Sequence, residues 1–153
     1  MNREYVIIDT SIFLELLNVP NKANNSEQVW KDFDDKSENG VVFFIPLAVI
    51  FETGNHIAQN GDGRQRRSCA EKFVFFVTKM LNAESPFHFI DFCDKEEISS
   101  WINEFPNYGS CGVTFGDFSI LKDLKKLQEK FPNKNISIWT LDKQLDSYSI
   151  KGK

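Results

Sequence analysis

The chain has 153 residues, 41% hydrophobic and 26% charged, with a formal net charge of −4 and a pI near 5.2. That length suits one domain with a core of its own, and the composition excludes a disordered or collagen-like chain. The acidic balance excludes a protein that grips nucleic acid by bulk positive charge alone, but not one that first binds divalent cations.

No apolar run approaches the ~20 residues that cross a bilayer, and MNREYVIID has neither the long apolar region nor the cleavage site of a signal peptide. Cys69, Cys93 and Cys111 are odd in number and far apart, with no CxxC pair. They read as reduced thiols in a cytoplasmic protein. The fifteen phenylalanines exceed what most cores of this size take, so some are expected on an oligomer surface.

In chain order, residues 4 to 8 read as a short buried strand and 11 to 17 as a short helix. Asn18 to Ser26, with Pro20 and four asparagines, reads as a loop. Ser26 then caps a helix that carries Val29, Trp30 and Phe33 and ends by Gly40. VVFFI, 41 to 45, is a continuous apolar run of the kind found in a parallel sheet covered on both faces. Pro46 opens the next helix, and NGDG, 60 to 63, breaks it. The following helix, about Arg64 to Leu81, places Cys69, Ala70, Phe73, Val74, Val77, Met80 and Leu81 on one face. PFHFIDF, 86 to 92, looks like a strand. Asp94 with Glu97 caps a helix bearing Ile98, Trp101, Ile102 and Phe105. PNYGSCG, 106 to 112, reads as a loop. A helix from about Gly116 to Lys130 turns Leu121, Leu124, Leu127 and Phe131 inward, and ISIWT, 136 to 140, is a last buried strand. A short helix and a tail complete the chain.

Strands alternating with helices predict an α/β domain with a mainly parallel sheet, in which ligands gather beyond the carboxyl ends of the strands. Four acids fall on that edge. Asp9 ends the first strand, Glu52 lies in the helix after VVFFI, Asp117 opens a helix after a glycine-rich loop, and Asp142 follows ISIWT. Each taken alone is more often a helix cap or a partner of the helix dipole. Together, in otherwise apolar segments, they repel unless a cation sits between them, and such oxygen ligands suit Mg²⁺ or Mn²⁺.

Four segments carry a resemblance: VIIDTSIFLELL, IPLAVIFETGN, FGDFSILKDL and IWTLDKQLDSY. In order and placement they resemble the PIN domain, the metal-dependent nuclease fold of VapC-type toxins in toxin–antitoxin systems. The resemblance implies one PIN-like domain over 1–153, a three-layer sandwich with a central, mainly parallel sheet flanked by helices. It matches Asp9, Glu52, Asp117 and Asp142 to the family's acids, with Asp146, one helical turn on, as the alternative fourth. Those acids are then both the metal ligands and the catalytic residues of an endoribonuclease, holding Mg²⁺ or Mn²⁺.

Thr10, Ser11 and Thr140 are expected to orient the carboxylates or water, although Ser11 and Thr140 serve equally well as backbone caps. Arg64, Arg66 and Arg67 form the one local basic cluster and are weighed evenly as phosphate contacts and as a solvated helix start. Asn55, one turn on from Glu52, is expected to face the same cleft. His56 and His88 have no acid–base partner at a recognisable spacing and read as structural. Resemblance to toxins further implies an RNA substrate, an antitoxin that covers the site and a homodimer. The alternatives are a PIN-like module that binds RNA or protein without cleaving, and a DNA-directed nuclease of the same fold. No glycine-rich phosphate loop follows the first strand, which argues against a dinucleotide-binding domain.

Overall fold

A computed structural model describes residues 3–84 and 86–151. Its sheet has four strands: β1 (Tyr5–Ile8), β2 (Val42–Ile45), β3 (Phe87–Phe89) and β4 (Ile136–Trp139), all parallel and ordered β3-β2-β1-β4. β1 pairs with β2 from Tyr5↔Val42 and with β4 from Tyr5↔Ile136 to Ile8↔Trp139. The strands are near-continuous apolar runs because both faces are covered. On one face Phe33 stacks on Phe43 and Phe87, with ring centroids 5.0 and 5.6 Å away, and Phe76 meets Phe87 edge-on. On the other, Tyr5 packs between Phe44 and Phe131. The result is helix, sheet and helix in three layers.

The helices are α1 (Thr10–Leu16), α2 (Ser26–Glu38), α3 (Leu47–Gln59), α4 (Gly63–Leu81), α5 (Lys95–Glu104), α6 (Pro106–Gly109), α7 (Phe115–Lys130) and α8 (Lys143–Lys151). Phe33 comes from α2, Phe76 from α4, and Phe131 closes α7. The aromatic residues of α2 are therefore core: Val29 is fully buried, and Trp30 packs on Phe33 and Phe76.

Several local expectations change. Ser26 begins α2 without capping it: its hydroxyl donates to the backbone oxygen and the carboxylate of Glu15. The same buried carboxylate accepts Asn24 N and Asn25 N, so an acid on α1 takes over the work of a cap. On α4, Val74 and Leu81 are 61% and 63% exposed. The inward stripe runs through Cys69, Phe73, Phe76, Val77 and Met80, which leaves residues 74 and 81 about a quarter-turn off it. β3 spans three residues because its pairing with β2 ends at Phe89. Residues 106–109 form a helical turn started by proline. Ile102 is 57% exposed. Residues 152–153 of the expected tail lie outside the described residues. No helix among the described residues is long and apolar enough to cross a membrane.

After β3 the chain returns to place β4 on the opposite side of β1. The connections therefore diverge at the carboxyl ends of β1 and β4, the switch point where open parallel sheets bind ligands.

Candidate metal centre

Asp9 stands at this switch point. Its backbone N–H extends the ladder to Trp139 O (3.1 Å), and its carbonyl receives the first N–H groups of α1 from Ile12 and Phe13. Its side chain makes no cap, and it is 5% exposed. Ser11 Oγ and Thr140 Oγ1 both donate to Asp9 Oδ2, at 3.0 and 2.7 Å. The two hydroxyls are held in turn by backbone N–H groups, Leu141 N to Ser11 Oγ (3.0 Å) and Asp142 N to Thr140 Oγ1 (2.9 Å). This chain of bonds ties the end of β1 to the end of β4 and pins one oxygen of Asp9. Among the described residues no side-chain bond engages Oδ1.

Glu52 is the sixth residue of α3, beyond the first turn, so the helix dipole does not account for it. Thr10 Oγ1 donates to Glu52 Oε2 at 2.8 Å. The other oxygen, Oε1, lies against Gly116, where a Cβ would overlap it. Thr114 is the N-cap of α7 and accepts Asp117 N through its side chain at 3.2 Å, so Asp117 is not the cap. Asp142 is exposed, and its Oδ1 accepts Gln144 N at 2.9 Å. The ordinary capping role thus holds for Asp142 and fails for Asp9 and Asp117.

The four acids act on one another. Burial raises the Asp117 carboxyl from 3.8 to about 6, and the charges of Asp9, Glu52 and Asp142 push in the same direction, opposed by the Thr114 side chain. Among the described residues, neither Asp146 nor any arginine or lysine is among the charges acting there. Thr10, Ser11 and Thr140 thus each donate to a carboxylate, and the charges of Asp9, Glu52 and Asp142 all reach Asp117.

The basic cluster lies elsewhere. Arg66 Nε donates to Gly61 O (2.9 Å), and Arg67 pairs with Glu71 (2.8 Å) at the exposed start of α4. Arg66 and Arg67 flank Ile57 and Ala58 of α3, roughly 8 Å along the helix axis from Glu52 at 1.5 Å per residue. No hydrogen bond or ion pair among the described residues joins Arg64, Arg66 or Arg67 to the acids. Asn55 is exposed on α3. His88 packs on Phe44, and His56 has a buried Nδ1 without a partner, so neither enters the site.

Among the described residues, no three His, Cys, Asp or Glu side chains are drawn together closely enough to ligate a metal as they stand. Unscreened carboxylates hold apart. The donor set still fits a hard cation: all oxygen, each of Asp9 and Glu52 pinned through one oxygen, and no cationic side chain among the described residues in competition. Mg²⁺ keeps several waters and needs only one or two direct carboxylates, so close convergence is not required.

An acid-lined switch point on a parallel three-layer α/β sheet defines the general class. The sequence profile of the PIN domain matches residues 6–149, and the chain belongs to the PIN domain family. This is a family of nucleases, which typically use divalent metals. No curated protein matches the chain at a significant level.

Proposed function

We propose that the protein is a metal-dependent endoribonuclease that hydrolyses RNA phosphodiesters and serves as the toxin of a toxin–antitoxin system. One observation carries the nuclease part: three neighbouring carboxylates act on Asp117, and among the described residues no cationic side chain offsets them. Asp9 and Asp117 are assigned as direct ligands of Mg²⁺ or Mn²⁺, with Glu52 and Asp142 completing the shell directly or through water. The bound ion would lower the pKa of a water and stabilise charge on the attacked phosphate. Asp9, fixed by Ser11 and Thr140, sets the geometry of the shell. Glu52, which accepts a hydrogen bond from Thr10, would take the proton released by the attacking water. Arg64, Arg66 and Arg67 are assigned to the flanking phosphates of a single strand, with Asn55 on the face between them and Glu52.

A small antitoxin covering the acid edge and a homodimer belong to the same proposal. Exposed Val74, Phe75 and Leu81 on α4 offer apolar area for a second copy.

The test is a calorimetric Mn²⁺ titration of the wild type and of Asp9→Asn/Asp117→Asn, followed by cleavage of single-stranded RNA and DNA. Saturable binding and RNA cleavage, both lost in a variant that keeps its circular dichroism, are expected. DNA cleavage alone would select the DNA-directed nuclease. RNA binding with no cleavage at millimolar Mn²⁺ would select a binding module.

A further inference from the structure

Beside the acid edge lies a cavity of about 190 Å³ between the start of α3, the segment after β3, α5 and the start of α7. Phe51, Phe92, Trp101 and Phe115 line it, and Phe51 and Phe92 are 63% and 60% exposed. One ionisable side chain also faces it from α7: Asp123, 8% exposed. Among the described residues no hydrogen bond reaches the Asp123 carboxyl. Lys126, the cation whose charge acts on it, is bonded to Asp91 O and Glu97. Burial pushes this carboxyl up to about 7, Lys126 opposes the rise and Glu97 adds to it.

Aromatic walls around a buried, unpartnered acid make an unusual pocket; the other acid of its lining, Asp91, is exposed and pairs with Lys130. Aliphatic side chains entering it would bury the carboxyl without a partner, which is unfavourable even for an uncharged group. A ring with a polar edge would fill the apolar volume and satisfy the acid together. The volume is below the ~300–1,000 Å³ of drug-sized ligand sites and suits one planar heteroaromatic ring system. The cavity adjoins the acid edge: Gly116 forms part of its wall and also abuts Glu52 Oε1, while Phe51 directly precedes Glu52.

We infer that this cavity is a nucleobase subsite of the RNA-cleaving centre, seating one base of the strand beside the phosphate at the acids. Guanine is preferred. It stacks on the phenylalanines and Trp101, as single-stranded bases do on aromatic platforms, and its Watson–Crick edge offers two adjacent N–H donors to the two oxygens of Asp123. Uracil offers one. The assignment of the base to an RNA strand rests on the nuclease proposal, whereas the base preference of the cavity does not.

The experiment is an NMR titration of the full chain, without metal, with each of the four ribonucleosides and with N-acetyl-leucinamide, following the Trp101 indole N–H. Guanosine is expected to bind most tightly and uridine most weakly. Asp123→Ala should weaken guanosine about tenfold, the loss typical of a bidentate base contact, and Asp123→Leu should abolish it. Equal binding of all four nucleosides, or no guanosine shift in the folded wild type, overturns the subsite. So does N-acetyl-leucinamide binding alone, strengthened in Asp123→Leu, which would make the cavity a protein-docking site. Neither metal nor cleavage is needed, so a failed nuclease assay leaves this result standing. Where cleavage does occur, sequencing of the products should place guanosine at one fixed position in the wild type and not in Asp123→Ala.

Discussion

Gly116 and Glu52 share a space that admits only one of a Cβ and a carboxylate oxygen. The obstructing atom is the far end of a flexible side chain, so Gly116→Ala is expected to fold normally and to turn Glu52 aside. Mn²⁺ affinity or cleavage should fall about 10–100-fold, the usual cost of disturbing the support of a ligand; unchanged values in both assays would mean that Glu52 has no role. Asp117 sets a pH dependence. Its carboxyl sits near 6 against an ordinary 3.8, so the folded state keeps a proton that the unfolded chain has released. The associated stability is complete below about 4 and is lost as pH rises through about 6. Asp117→Asn should therefore raise the melting temperature of metal-free protein near neutral pH, by about 2–4 °C for each kcal/mol relieved, and leave it little changed below about pH 4. A melting curve in EDTA decides this, and equal melting temperatures at neutral pH would refute the combined cost of burial and repulsion at Asp117. The acids are easy to read from sequence because each interrupts an apolar run. Gly116 is not: in FGDF a glycine reads as turn chemistry, and nothing local reveals the carboxylate opposite. Asp123, within KDLKKL, has the look of a solvated helix residue, and only packing against α5 and the segment after β3 buries it.

At the level of elements, α1 does two jobs. Its first turn carries Thr10 and Ser11 to Glu52 and Asp9, and its second carries Glu15 to the start of α2. Removing that acceptor in Glu15→Ala leaves Asn24 N and Asn25 N without their partner, while the Ser26 hydroxyl keeps the backbone oxygen of residue 15. The expected loss is about 3 kcal/mol, the range for hydrogen bonds to a charged group, read as a lower urea midpoint with an unchanged slope and unchanged Mn²⁺ affinity. A shift under ~0.5 kcal/mol, the ordinary effect of a surface substitution, would show that the loop finds other acceptors. Glu15 was invisible as a cap because a cap is sought beside the helix it serves, whereas this one comes from ten residues upstream. Strand and helix identities were legible in YVII, VFFI and ISIW, where continuous apolar runs have no helical period. The reach of β3 was not, since it depends on where β2 stops offering partners. The exposed positions of α4 were misread because a 19-residue helix spreads its apolar residues over more than one face.

For the molecule as a whole, net charge works against an RNA ligand and three arginines work for it. If Arg64, Arg66 and Arg67 each neutralise a phosphate, the slope of log affinity against log salt should be about −2, at roughly −0.7 per contact on a single strand. Replacing all three with alanine should bring the slope close to zero while metal affinity stays the same. A slope unaffected by the triple substitution would return the cluster to being a solvated helix start. Topology was readable only in outline: alternation indicates a parallel sheet, but not that the chain crosses back to set β4 beside β1. That crossing has a consequence in time. Tyr5 pairs with Ile136, and Thr140 reaches back to Asp9 across 131 positions. Contacts so distant along the chain are the slowest to close during folding. The carboxylate at the head of the chain stays without one of its two anchoring hydroxyls until residue 140 has been synthesised. Through the first 116 residues a ribosome making this protein would carry only two of the four acids, and the site as folded could not form before Thr140 and Asp142 had both been added.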